Sequence, residues 1–403
     1  MGFSQAISGM NAAAQQLDVI GNNIANSATA GFKSASISFA DMYAGSKVGM
    51  GVKVASVMQN FNDGTVTSTN NSLDVAISGN GFFRLVDSSG QAYYTRNGQF
   101  QMDSERNIIS ADGLYLSGYL ATGNPPTIQQ GATPQPLSIP QTMLNASATT
   151  KAALQVNLNS NHSVPSKSPI NASDADTFNY STTITTYDSL GNPHNVQLFY
   201  VKTADNQWDV HYLDSSDPDA ELTKAGVMAF DTSGKLISEP EMSININGIK
   251  GAAANSFTLS LANSSQQNLD KEAGSVKTPI VDGYVAGELV GYSINDDGSI
   301  YGIYSNQQTM LLGQIAMADF ANINGLESAG NNNWRSTNQS GDAVIGIAGS
   351  GTFGSLTSGA IENSNVDMSQ ELVNMIVAQR NYQSNSQTIK TQDQILNTLV
   401  NLR

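Results

Sequence analysis

Four groups of residues in this 403-residue chain have side chains or spacings that could do chemistry. Gly349-Ser350-Gly351-Thr352-Phe353-Gly354 matches the glycine pattern that cradles a pyrophosphate, and it follows a strand-like run from Ala343 to Ala348. A dinucleotide site needs a helix to open directly after such a loop, because the N-terminal amides hold the phosphates. Here another turn-rich stretch, Ser355 to Gly359, follows. The three histidines, His162, His194 and His211, have no second His or Cys at ligand spacing, so no zinc site is expected. Asp214, Asp217, Asp219 and Glu221 cluster without the alternating spacing and distal Glu of a calcium loop, and read as a solvated loop. Asp296-Asp297-Gly298 and Asp112-Gly113 read as turns rather than as paired catalytic carboxylates.

The remaining chemistry is thin. The chain contains no cysteine, which removes disulfides, thiolate nucleophiles and Cys-ligated metals. It has no nucleophile elbow, no zincin motif and no phosphate loop of the Walker type. We therefore expect no catalysis, no cofactor, no metal and no small-molecule substrate. Lys plus Arg number 18 against 33 Asp plus Glu, a net charge of −15, with only 13% charged residues. Nucleic-acid binding is not expected, because phosphate neutralisation needs clustered bases. No run reaches the ~18 apolar residues of a membrane span. Met1 to Gln16 lacks the basic and apolar regions of a secretory signal, so any export is expected to use another route.

The elements that position these residues fall into two kinds. Phe3, Ile7, Met10, Ala14, Leu17, Gly21, Ile24 and Ala28 alternate steps of four and three, a heptad stripe that ends in the turn residues Asn26, Ser27 and Gly31. Met368, Leu372, Met375, Tyr382, Ile389, Leu396 and Val400 lie on the same grid, after Asp367 as a cap and Gln370 as its box partner. Gln379, Ser386 and Asp393 fall on that seam and are expected to fix register in an assembly. Helices of roughly 24 and 35 residues would reach ~36 and ~52 Å, too long for one small domain.

Between them the period becomes two. Leu73 to Ile77, Gly81 to Val86, Ala92 to Thr95, Ile108 to Ser110 and Leu114 to Leu120 read as hairpin strands separated by Asp-Gly and Ser-Gly turns. Thr182 to Tyr187, Asn195 to Lys202, Trp208 to Leu213, Ser256 to Leu261, Leu289 to Ile294 and Ile300 to Tyr304 continue the pattern. Pro125, Pro126, Pro134, Pro136 and Pro140 mark an extended passage read as a crossing between domains. The expected fold is multidomain and mainly β, with α-helical termini forming a coiled-coil inner layer and a nested, discontinuous topology. Residues 1–30 with 362–403 form the helical layer and 31–70 a connecting segment. Residues 71–144 with 285–361 form an inner β-domain, and 145–284 an outer β-domain inserted in it. The outer stretch holds 15 acidic and 8 basic residues, about half the excess charge.

Three motifs suggest a family. Gly21-Asn22-Asn23-Ile24-Ala25-Asn26-Ser27-Ala28-Thr29-Ala30-Gly31-Phe32-Lys33 resembles the N-terminal motif shared by the axial proteins of the bacterial flagellum, in rod and hook. Leu73-Asp74-Val75-Ala76-Ile77-Ser78-Gly79-Asn80-Gly81-Phe82-Phe83 resembles their second motif. Ser364-Asn365-Val366-Asp367, followed by Glu371 to Tyr382, is similar to their C-terminal helix. Over essentially its whole length the chain is similar to the hook members, since the rod members lack a large outer domain.

That resemblance implies a structural subunit that self-assembles into a curved tube, the hook, which transmits motor torque as a universal joint around a central export channel. It implies self-assembly through Phe3, Ile7, Met10, Leu17, Ile24, Leu372, Met375, Tyr382, Ile389 and Leu396, and a family motif loop of Asn22, Asn23, Asn26, Gly31 and Phe32. Terminal helices of this family are expected to order on assembly, having no intramolecular core. Glycine-rich stretches at Gly45–Gly51 and Gly349–Gly354 are candidate hinges. Implied partners are further copies of the chain, a distal rod protein, a hook cap protein, a hook-filament junction protein and the flagellar type III export apparatus. The implied location is the hook region outside the cell, reached without a cleaved signal peptide. A distal rod protein, and a secreted glycan-binding or glycan-cleaving β-protein, are the alternatives.

Overall fold

The computed structural model describes residues 2–42, 49–123, 125–129, 131–269 and 274–401. Two compact units are present. One comprises Met1–Gln141, Gly291–Ile303 and Thr309–Arg403; the other comprises Thr142–Val290 and Tyr304–Gln308.

The first unit begins with helix α1 (Gly2–Ala25) and ends with helix α2 (Met368–Asn401). Both termini of the pattern are set by local polar chemistry. Asn26 closes α1 by donating its side-chain amide to the Asn22 carbonyl at 3.0 Å. Asp367 caps α2, accepting from the amides of Ser369 at 2.9 Å and Gln370 at 3.1 Å. The expected box is not closed, because the Gln370 side chain instead donates forward to Asn374 at 3.1 Å.

The helices run antiparallel in a single register. Asn23 on α1 donates to Glu371 on α2 at 3.2 Å, and a Cβ on Gly9 would lie 2.8 Å from the Asn385 side chain. This seam keeps Met375, Ser386 and Ile389 of the expected grid and takes Glu371, Ala378 and Gln392 in place of Leu372, Gln379 and Asp393. The half-buried or buried positions of α2 include Glu371, Met375, Ala378, Asn385, Ile389 and Gln392, with Ala378 at 0% exposure, whereas Gln379 and Asp393 are exposed. Small residues such as Gly9 and Ala378 let the backbones approach, and that close approach selects the face. The large residue Leu372 is left on the far side.

Residues 31–70, read as a connecting segment, contain a long antiparallel ribbon of β1 (Ala35–Asp41) and β2 (Val52–Gln59), registered Ala35 to Gln59 and Asp41 to Val52. The ribbon packs on α1, where Ser8 Oγ accepts from the Val52 amide at 3.2 Å and Gln5 donates to the Gly49 carbonyl at 2.6 Å. Helix α1 thus has intramolecular partners on two sides and buries Ala6, Ala12, Ala13 and Ile20. The expectation that the terminal stripes find no partner within the chain does not hold for α1. Of the hinge placed at Gly45–Gly51, residues 45–48 lie outside the described residues.

The rest of this unit is antiparallel sheet. Its main path runs Ser299–Tyr304, Thr309–Ile315, Tyr115–Thr122, Phe82–Val86, Ala92–Thr95, Asn333–Arg335 and Glu327–Gly330. Phe61, Phe82, Tyr94, Phe320 and Trp334 pack edge to face beneath it, with Phe82 and Trp334 ring centres 5.8 Å apart. The proline-rich passage does not leave this unit. Gln135–Pro136 pairs with Ser117 and Gly118, and Leu137 and Ile139 are buried. Proline lacks a donor but its carbonyl still serves an edge pairing, so an extended proline stretch can close a sheet as well as bridge domains.

The second unit is a β-structure whose meander, Tyr180–Tyr187, Pro193–Ala204, Gln207–Asp214 and Thr223–Ala229, faces shorter sheets built on Lys151–Ala153 and Val156–Asn159. Alternate residues of Gln207–Asp214 are buried, as period-two patterning requires. The core gathers Trp208, Tyr200, Leu198, Val156 and Leu259, and Trp208 donates its indole N–H to Gln266 at 2.6 Å.

Candidate functional site

The residues of the N-terminal motif converge on one place beneath the helices. Gly31 leaves α1 with φ +68°, and a Cβ there would lie 2.5 Å from the Asn97 amide nitrogen, so both the left-handed backbone and the space demand glycine. Its amide donates to the Glu362 carbonyl at 2.8 Å. This places Lys33, two residues on, against the Glu362 side chain.

A buried ionic cluster results. Lys33 Nζ donates to Glu362 Oε1 at 2.6 Å and to the Asn62 carbonyl at 2.7 Å. The Gly64 amide donates to the same carboxylate oxygen at 2.7 Å. Arg96 lies across the cluster, with Nη1 3.6 Å from Glu362 Oε2 and 3.2 Å from Asp63 Oδ1, and with Nη2 donating to the Gly79 carbonyl at 2.9 Å. Its guanidinium also sits 5.3 Å from the centre of the Phe82 ring. Burial first, and the Arg96 charge second, push the Lys33 ammonium below the usual lysine range, while Glu362 opposes both.

Two asparagines extend the fastening to both helices. Asn365, just before α2, accepts from the Ser34 amide at 2.8 Å and donates to the carbonyls of Asn60 at 2.8 Å and Asn62 at 2.9 Å. Asn23, buried on α1, pairs with both backbone groups of Ala35, at 2.9 and 2.8 Å, while holding Glu371. Segments from the start, the sixties, the nineties and the end of the chain are thereby fixed to one another. Among the described residues Arg96 Nε, Glu362 Oε2 and Glu371 Oε2 are buried without a hydrogen-bond partner, so the fastening rests on the remaining bonds and on the charge of Arg96 beside Glu362.

Of the motif-loop residues, Asn23 and Gly31 are buried in this joint, Asn26 and Phe32 are half-buried beside it, and Asn22 is exposed. The sequence reading did not single out Asn62, Asp63, Arg96 and Glu362, and it quoted Lys33 and Asn365 only within motifs. Isolated charges in so sparsely charged a chain were the available signal. The ten assembly positions differ in burial. Ile7, Met10, Leu17, Ile24, Met375 and Ile389 are half-buried, Tyr382 is at the margin, and Phe3, Leu372 and Leu396 are exposed. Beside Leu372, exposed at 47%, the residues Met368, Val373, Ile376 and Val377 are also exposed, making an apolar strip on α2.

The other sequence candidates have different surroundings. Gly349–Gly354 closes a turn, with the Gly349 amide donating to the Gly354 carbonyl at 2.9 Å, and leads into the strand Ser355–Ser358 rather than a helix. Asp217 and Asp219 lie on the surface, but Asp214 is buried against His194, so that cluster is not wholly a solvated loop.

Comparison with known proteins gives four matching family models: flagella basal body rod protein over residues 4–33, flagellar hook protein FlgE/F/G D1 domain over 76–157, flagellar basal body protein FlaE D2 domain over 157–284, and flagellar basal body rod FlgEFG protein C-terminal over 357–402. The chain is 58% identical to the flagellar hook protein FlgE of Salmonella typhimurium and equally to that of Escherichia coli K12, covering 100% of each chain. It is 31% identical to the FlgE of Borreliella burgdorferi over 98% of both. Its fold is similar to the crystal structure of the Helicobacter pylori flagellar hook protein FlgE2, with a TM-score of 0.52 at 15% identity, over 72% of this chain and 98% of that one.

Proposed function

This chain belongs to the flagellar hook protein family, and from that premise we propose that it is the structural subunit of a flagellar hook, polymerising into a curved, channelled tube that passes torque from motor to filament. The full-length identity to hook proteins favours this reading over a distal rod protein and over a secreted glycan-binding or glycan-cleaving protein. The geometric observation that carries it is the division of α2 into two faces. One face is packed on α1, and the other presents Leu372, Val373, Ile376 and Val377 to solvent on a helix of 34 residues. An apolar strip beside a seam already packed on α1 is the surface a neighbouring copy would bury, and repetition of one non-closing contact builds a helical polymer.

In this reading residues 1–30 and 362–403 form a coiled-coil layer around the channel. Residues 71–144 with 285–361 form the inner β-domain, and 145–284 are inserted in it as the outer one. The Lys33–Glu362–Arg96 joint couples the helical layer to the sheets, so that twist applied to one is delivered to the other. Bending compliance resides in the sparsely charged outer surfaces. The distal rod protein, hook cap protein, hook-filament junction protein and type III export apparatus are its partners, and export proceeds without a cleaved signal peptide. Deleting residues 368–403 tests the reading. Polymers are expected to vanish while the second unit stays folded by circular dichroism, and polymerisation at the wild-type level would sink it.

A further inference from the structure

We propose that His194, Asp188 and Asp214 form a proton-dependent latch at one end of the second unit, holding its meander together while the imidazole carries both protons. His194 lies on the strand Pro193–Ala204 and is wholly buried. Its Nδ1 is 2.5 Å from Asp214 Oδ2, at the end of the neighbouring strand, and its Nε2 is 3.2 Å from Asp188 Oδ2, in the turn that precedes it. A neutral imidazole has one N–H, so it could serve one of these carboxylates and would turn a lone pair on the other. With both carboxylates ionised, only the doubly protonated ring satisfies both.

The carboxylates are placed to demand that charge. Asp188 accepts from the amides of Leu190 and Asn192, each at 2.9 Å, and from the Asn192 side chain at 2.8 Å. Burial disfavours its ionised form, but the bonds from Asn192, His194 and Leu190 outweigh burial and hold the carboxyl below its usual range. Asp214 accepts from the Ser216 amide at 2.9 Å. Asp217, half-buried on the loop that follows, adds a further negative charge and is bound by Asn247 at 3.0 Å. Among the described residues neither carboxylate forms an ion pair with a lysine or arginine. Lys250, on the loop that receives the Asn192 side chain through the Ile249 carbonyl at 3.3 Å, is exposed.

The latch connects three loops: the turn 188–192, the loop after Asp214, and the loop 247–252. Its sign follows from its chemistry. The favourable interaction belongs to the charged ring, so it is present at lower pH and lost as the ring gives up its second proton. Loss leaves two buried carboxylates facing a single donor, which loosens the corner.

Nitrogen-15 spectra of the full chain, recorded from about pH 6 to about pH 9, read the ring directly. The expected result is that both His194 nitrogens carry protons at the acid end. The temperature at which the Trp208 indole signal is lost should fall by roughly 2–4 °C as the second proton leaves. H194Q, which keeps one donor, should show no such step. Should that variant fail to fold, the coincidence of the two wild-type transitions still decides. A singly protonated ring at the acid end, or a ring that titrates while the Trp208 transition stays put, would overturn the latch.

Discussion

Lys33 and Glu362, 329 residues apart in sequence, meet at 2.6 Å with side chains 1% and 0% exposed. The pair sits where the N-terminal helix, the first ribbon and the strand leading to the C-terminal helix come together. Its energetic character is that of a buried ion pair: replacing both partners with apolar groups is often tolerated, but removing one is not.

Lys33→Met should therefore destabilise the first unit by about 3–5 kcal/mol, because Glu362 loses its 2.6 Å partner and is left charged and buried with the Gly64 amide and Arg96 at 3.6 Å. Lys33→Met combined with Glu362→Leu should recover much of that loss. Denaturant unfolding followed by Trp334 fluorescence measures both, and equal stability of the single variant and wild type would count against the joint.

The same lysine gives a signed pH dependence. Its folded-state proton affinity is lowered, chiefly by burial and then by Arg96. Between that lowered value and the ordinary lysine value, the unfolded chain binds more protons than the folded one, so stability attributable to this group rises with pH in that alkaline window. Subtracting the stability profile of Lys33→Met from that of wild type should show the rise, and a falling difference would contradict it.

Gly31→Ala places a methyl group against the Asn97 backbone at a φ of +68°. Strain of this kind costs of order 1–3 kcal/mol, and the backbone clash adds to it. Limited proteolysis should cut between α1 and β1 faster in the variant than in wild type, with the second unit equally resistant in both.

The two faces of α2 should separate folding from assembly. Ile376→Asp lies on the exposed strip and should change monomer stability by no more than about 0.5 kcal/mol while abolishing polymers. Ala378→Leu lies at the closed seam and should loosen α1 from α2 in the monomer itself. Thermal unfolding and sedimentation of the two variants, side by side, distinguish these effects.

Much of this was legible in the residues. Strands such as Gln207–Asp214 announce themselves by period-two patterning, and α1 ends at Ala25, beside the turn residue Asn26, although the heptad steps run on to Ala28. The ribbon of β1 and β2 was not, because it lies along α1 rather than on a sheet core, and its burial does not alternate cleanly while Phe39, Val57 and Met58 stay exposed. At Glu371, Ala378 and Gln392 the seam of α2 lies one residue before the expected grid while Met375 and Ile389 stay on it, since sequence patterns weigh large apolar side chains and the contact at Ala378 was chosen by a small one. Nor could spacing find the joint. Lys33, Asn62, Arg96 and Glu362 come from four separate segments, and only the fold brings them within reach of one another. His194 escaped for the same reason, its two carboxylates being contributed by a turn and by the next strand.

Electron cryomicroscopy of polymers grown from the purified chain tests the central claim most directly. The account predicts a curved tube with a central channel, in which Leu372, Val373, Ile376 and Val377 of each subunit are buried against a neighbouring copy and the Lys33–Glu362 pair is intact. A straight shaft, or a polymer in which that strip still faces solvent, would contradict it.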